Sequence, residues 1–135
     1  RLMPEHRQEI LEYFLELRKK IQPDIIFTHT EKDIHQDHNA MTREALRAYR
    51  GITVLGFDVV RSSHGFFPNF FVEVNEDDVN AKLNALMQYK TYQDKYYFEA
   101  DLLRATLIRH GALAEKPFAE GFDVMRVVAE FEKCD

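Results

Sequence analysis

The sequence predicts an α/β fold: a Rossmann-like, three-layer arrangement in which helices pack on a mostly parallel sheet. Three observations carry this. Short apolar runs bounded by proline or polar residues read as buried strands, as in Pro23-Asp24-Ile25-Ile26-Phe27-Thr28. Between them lie longer stretches whose apolar residues recur at helical spacing. Strands buried on both faces with helices between them are the mark of a parallel sheet. The chain of 135 residues fits one domain by length, and its 45% hydrophobic and 30% charged content suits a packed globular core.

The elements follow in order. Residues 5–20 form an amphipathic helix, with Ile10, Leu11, Phe14, Leu15 and Arg18 at helical spacing. Pro4 suits its first turn, where a missing N–H costs nothing, and Pro23 closes the segment. Residues 24–28 are the first strand, and residues 29–35 a polar loop past its C-terminal end. A helix over 36–49 places Ala40, Met41, Ala45, Leu46 and Tyr49 on one side. Asp33 with Gln36 resembles a capping box, and Gly51 terminates the helix. Residues 52–60 are strand-like, broken by Gly56, and residues 61–65 are loop. A third strand covers 70–74. A helix from Asn75 to about Lys90 turns Val79, Leu83, Leu86 and Met87 inward. A last helix over 94–110 buries Phe98, Leu102, Ala105 and Ile108 and stops at Gly111. Residues 122–128 form the final strand. There is no repeat, low-complexity tract or linker.

Composition excludes several classes. Lys and Arg number 18 against 23 Asp and Glu, a net charge of −5, so the basic footprint of a non-specific nucleic-acid binder is missing. No apolar run approaches the ~20 residues that span a bilayer. The start lacks the apolar core of a signal peptide. The single cysteine, Cys134, forms no internal disulfide, which fits a reducing, cytoplasmic setting. The chain starts at Arg1 and not at Met, which points to a processed or partial sequence.

The chemistry concentrates in one place. Of the 6 histidines, three (His29, His35 and His38) fall in or beside the loop between the first strand and the second helix. Open α/β sheets bind ligands outside the carboxyl ends of their strands. His35 and His38 are one helical turn apart, and share a face if both lie in the helix. If His35 precedes it, the ring still reaches the same cleft. The positive end of the helix dipole favours neutral imidazole, the form that ligates metal. Asp37 adds a carboxylate that either ligates or orients a histidine. The group is too small for a closed structural zinc site, and fits one or two ligands of an open one.

Together, Pro23-Asp24-Ile25-Ile26-Phe27-Thr28, Asp33-Ile34-His35-Gln36-Asp37-His38, Tyr89-Lys90-Thr91-Tyr92-Gln93 and Ala119-Glu120-Gly121-Phe122 make the chain resemble the C-terminal part of the PIG-L/LmbE-like N-acetylglucosaminyl deacetylases. The resemblance implies a zinc-dependent hydrolase that removes the acetyl group from an N-acetylated sugar conjugate. It makes His38 the zinc ligand from this region. His35 stabilises the oxyanion or protonates the leaving amine, and Asp37 fixes the tautomer of His35. The family's other motif, H-P-D-D, supplies the remaining ligands and the general base, and it does not occur in these 135 residues. The resemblance therefore implies an incomplete site, with an N-terminal half to be expected or a naturally shortened relative.

Two other readings stand beside it. One is a non-catalytic module that binds a sugar or a partner. The other is a metal site rebuilt with His29 or Glu31. Arg61 and His64, after the second strand, are candidate substrate-binding residues for sugar hydroxyls. Phe66, Phe67, Phe70 and Phe71 are core residues, a sugar-stacking surface, or a face that another segment or a second copy covers. Gln93 and Glu120 suit structural roles, as do the tyrosines between Tyr89 and Tyr97, expected at a helix–helix junction.

Overall fold

The computed structural model describes residues 2–92 and 94–130. Gln93 and Cys134 lie outside the described residues. The fold is α/β, with a four-stranded sheet flanked by helices. The helices are α1 (Arg7–Ile21), α2 (Gln36–Ala48), α3 (Glu76–Leu86) and α4 (Ala100–Leu113). The strands are β1 (Ile25–His29), β2 (Thr53–Phe57), β3 (Phe70–Glu73) and β4 (Ala119–Arg126). The strand order is β1-β2-β4-β3. Only β1 and β2 are parallel; β4 runs antiparallel to β2 and to β3. The expected mostly parallel sheet is thus corrected. A single βαβ crossover, β1-α2-β2, is what makes one pair parallel.

The chain divides into two compact units. One comprises the residues up to Phe67 and those from Asp123 onward; the other is Pro68–Phe122. In the first unit, α1 and α2 pack together and α2 packs on β1. Small residues on α2 permit this close approach. Ala45, Ala48 and Tyr49 are buried, with Leu11, Phe14, Ile26 and Ile52 packed against them. Polar groups pin α2 at its middle and at its C-terminus. Thr42 donates its hydroxyl to the carbonyl of His29 at 2.8 Å. At the C-terminus, Arg18 donates to the carbonyl of Ala48, and Arg126 to those of Leu46 and Tyr49. These arginines satisfy carbonyls that a helix C-terminus leaves unpaired, at its negative pole.

β1 departs from the expected fully buried strand. Ile26 is half-buried and Thr28 buried, while Ile25 and Phe27 are 50% and 57% exposed. Alternation puts successive side chains on opposite faces, so a helix layer on one face leaves the other open. Gly56 does not break β2. It lies inside the strand because a Cβ there would come within 3.0 Å of the Thr30 backbone. Gly51, at φ +77°, makes the turn after α2 as expected.

In the second unit, Asn75 and Asp78 form a reciprocal capping box at the start of α3. α3 ends at Leu86, short of the expected Lys90, and a 3₁₀ turn covers Lys90–Tyr92. The last helix starts later than expected, after a 3₁₀ turn at Tyr96–Phe98, and it runs through Gly111. Gly111 is there for contact and not as a stop: a Cβ would meet the carbonyl oxygen of Lys116 at 2.6 Å. The buried face of α4 carries Leu107 and His110, with Ile108 47% exposed. His110 fills the space beside Gly121 and meets Phe71 edge-on. Glu120 accepts from Lys82 of α3 at 2.6 Å.

Glu44 is the buried charge that ties α1 to α2. Its carboxylate is 0% exposed and pairs with Arg7 and Arg47, both about half exposed. Removing the carboxylate leaves two arginines that water can solvate. Removing the arginines strands a buried charge. The double variant Arg7→Ala/Arg47→Ala is therefore expected to lose about 3–5 kcal/mol, and Glu44→Gln clearly less, by urea unfolding. Equal losses would mean that burial of the carboxylate is not what the pair compensates.

Candidate active site

The site lies in the loop between β1 and α2, at the carboxyl end of β1. β1 delivers His29 beside Phe57 of β2, and Thr30 extends the ladder by donating its N–H to the Phe57 carbonyl at 2.9 Å. The chain then turns through Asp33 into α2. His35 is the N-cap of that helix, and its Nδ1 accepts from the N–H of Asp37 at 3.2 Å. The expected Asp33–Gln36 capping box is therefore replaced. Asp33 Oδ1 accepts instead from the backbone N–H of His35 at 2.8 Å. The same geometry corrects how Asp37 acts on His35: the contact at Nδ1 is made by the Asp37 backbone.

Asp33 organises this loop. It is 3% exposed. Its Oδ2 accepts from His38 Nδ1 at 2.8 Å and from the Ser62 hydroxyl at 2.9 Å. Burial alone would raise the Asp33 carboxyl. The donors from His35, His38 and Ser62 outweigh it, so the group is held below the ordinary carboxylate range.

The three imidazoles form a column. His29 and His38 stack at 3.9 Å, 9° from parallel, and His38 and His35 at 4.3 Å and 22°. Hydrogen bonds assign tautomers within it. An ionised carboxylate only accepts, so the proton between Asp33 and His38 belongs to His38 Nδ1, and neutral His38 keeps a lone pair on Nε2. A backbone N–H only donates, so His35 Nδ1 is bare, and neutral His35 carries its proton on Nε2. The two adjacent rings thus present opposite groups, an acceptor and a donor.

His29 is strongly perturbed. Its Nδ1 is buried without a hydrogen-bond partner. Its pKa is lowered from 6.5 to about 4, by burial first and then by the neighbouring His38 and His35, against the opposing pull of Asp33.

A metal ligand must lie near the plane of the imidazole that binds it. Two rings stacked nearly parallel share no such in-plane point. His29 and His38 therefore cannot hold one ion together in this arrangement. Among the described residues, no group of three or more His, Cys, Asp or Glu side chains is placed to hold a metal. Exposed Glu31 joins no such group. Among the described residues, the rebuilt site with His29 or Glu31 is not assembled.

Arg61 and His64 lie on the loop after β2, and both are exposed. This loop is bound to the histidine loop. Ile34 donates its N–H to the Ser62 carbonyl at 2.9 Å, and Gly65 packs beside the Lys32 side chain. Behind it, Asp123 accepts from the Thr30 hydroxyl at 2.9 Å and pairs with Lys32 at 3.3 Å. Of the four phenylalanines, Phe67 is 65% and Phe70 42% exposed, while Phe66 and Phe71 are half-buried. Sequence reasoning missed the orienting role of Asp33, although an acidic residue five positions before a histidine was its visible signal. Ser62 gave no signal at all.

No family model and no curated protein matches the sequence. Solved structures do. The conserved protein TT1542 from Thermus thermophilus superposes with a TM-score of 0.72 at 18% identity, over 91% of this chain and 61% of that one. GalB, the 4-carboxy-2-hydroxymuconate hydratase from Pseudomonas putida, gives 0.72 at 14%, over 94% and 62%. The N,N'-diacetylchitobiose deacetylase from Pyrococcus horikoshii gives 0.67 at 19%, over 88% and 51%. The chain has the fold of these proteins. It spans less than two thirds of the length of each. Among the described residues, no helix is long and apolar enough to cross a membrane.

The depressed His29 sets a pH dependence. Below pH 6.5 the unfolded chain takes up a proton that the folded one refuses until about pH 4. Stability is therefore expected to fall as pH drops from 6.5 toward 4. His29→Gln is expected to flatten the slope of Tm against pH in that window, whatever its effect at pH 7.5. An unchanged slope would assign the dependence to another group.

Proposed function

We propose that this chain carries the histidine half of a zinc-dependent N-deacetylase site, acting on an N-acetylated amino-sugar conjugate. The observation that supports it is the pair of opposite tautomers at His38 and His35. His38 fits a metal ligand: a buried carboxylate on Nδ1 leaves the Nε2 lone pair available, the arrangement typical of ligating histidines. The remaining ligands and the general base would come from outside the described residues. Fold does not select the chemistry, since the proteins of similar fold include a hydratase as well as a deacetylase.

Zinc, when bound, would polarise the amide carbonyl and lower the pKa of a bound water. The other roles fall to the chain. His38 holds the ion through Nε2, and Asp33 holds His38. His35 directs its Nε2–H at the carbonyl oxygen as negative charge develops there. While the Asp37 N–H occupies Nδ1, the proton of neutral His35 is on Nε2, where it can be donated. Of the two expected roles, oxyanion stabilisation suits this geometry better than protonation of the amine. Arg61 and His64 would hold sugar hydroxyls, with exposed Phe67 as a stacking surface.

The test is release of free amine from N-acetylglucosamine conjugates by the zinc-loaded protein. His35→Ala is expected to lower kcat by about 10²–10³-fold with the zinc content unchanged. His38→Ala is expected to lose both metal and activity. A second reading, a binding module without catalysis, is favoured by the lack of three converging ligands among the described residues. Sugar binding without zinc binding or amine release would support that module against the hydrolase.

A further inference from the structure

Ser62 is 7% exposed and lies in the loop after β2, yet its hydroxyl donates to the very oxygen of Asp33 that holds His38. Its backbone is engaged separately. The N–H donates to the Val59 carbonyl at 2.8 Å, and the carbonyl accepts from Ile34 at 2.9 Å and His64 at 3.1 Å. The hydroxyl can therefore be removed without undoing the seam between the two loops. The neighbouring Ser63 hydroxyl accepts from the Val59 N–H at 2.8 Å and donates to the same Asp33 oxygen only at the longer distance of 3.5 Å.

We infer that Ser62 is a positioning residue for His38. It acts through Asp33 and couples the orientation of that imidazole to the loop that carries Arg61 and His64. The chain of contacts is Ser62 Oγ–H to Asp33 Oδ2, and His38 Nδ1–H to the same oxygen. Two donors on one carboxylate oxygen fix the plane of the carboxylate. That plane in turn fixes the rotation of the ring and the nitrogen that bears its proton. Without the hydroxyl, Oδ2 keeps His38 as its near donor and Oδ1 keeps the His35 N–H, so the carboxylate is held by two near donors in place of three and its plane is less tightly fixed. The ring then samples both tautomers, and Nε2 is no longer always the bare nitrogen. A substrate contact that shifts the Ser62 loop would thus be felt at His38 without touching it.

The metal part of this inference rests on the reading of His38 as a ligand, but the tautomer part does not. The experiment is long-range ¹⁵N–¹H correlation of the imidazoles in the labelled protein, for wild type, Ser62→Ala, Ser62→Thr and Asp33→Asn. Co²⁺ affinity is measured on the same samples. Wild-type His38 is expected to carry its proton on Nδ1. Ser62→Ala should mix the tautomers and weaken Co²⁺ binding about 10–100-fold, the usual cost of losing an outer partner of a ligand. Ser62→Thr should restore both. If Asp33→Asn does not fold, Ser62→Ala alone decides. A wild-type His38 protonated on Nε2, or a Ser62→Ala protein with an unchanged His38 tautomer, overturns the inference. A tautomer that responds in a protein that binds no Co²⁺ upholds the positioning role and removes the metal reading instead.

Discussion

A carboxylate taken out of water must be surrounded by donors, and meeting that demand at Asp33 shapes the whole site. The N–H of His35 fixes where α2 begins. The ring of His38 is brought back from the first turn of α2. The hydroxyl of Ser62 draws in the loop after β2. Two donors come from the start of α2 and one from the loop after β2, so satisfying one buried charge draws together two segments that the topology only places side by side. An unpaired buried carboxylate would cost several kcal/mol, which is why these loops are specified and not merely permitted.

The scaffold beneath supplies rigidity by similar means. α2 lies close to β1 because alanines line its inner face. Its own Thr42, in mid-helix, reaches the end of β1, and two arginines from other elements hold its last carbonyls. Its middle carries the buried Glu44 pairs. Held this firmly, a helix makes its first turn a dependable platform for His35 and His38. On the other face of β1, Ile25 and Phe27 are 50% and 57% exposed. Among the described residues, no strand pairs with the outer edge of β1.

The stacked histidines illustrate how nearness and cooperation differ. Three imidazoles within stacking distance look like a metal centre in a list of residues. Their near-parallel planes prevent them from sharing an ion. What the column provides is a hydrogen-bond acceptor beside a donor, with His29 kept neutral at their back by burial. Such a pair suits a polarised carbonyl whose oxygen gains charge, provided that the other half of the chemistry is brought to it.

The sequence alone determined the order of helices and strands, because apolar periodicity is a local property and each stripe or run is long enough to be read. It also determined where three histidines gather, at the end of one strand and the start of one helix. It erred where long-range contact decides. Gly56 reads as a break until Thr30 is seen against it, and Gly111 as a stop until Lys116 is. Strand direction was likewise hidden, because a strand run looks the same whether its neighbour runs with it or against it. Only the tertiary structure made Asp33 the holder of His38, gave Asp37 its backbone role, and brought in Ser62. A hydrogen bond between residues 29 positions apart leaves no trace in local pattern, since it depends on how two loops meet in space.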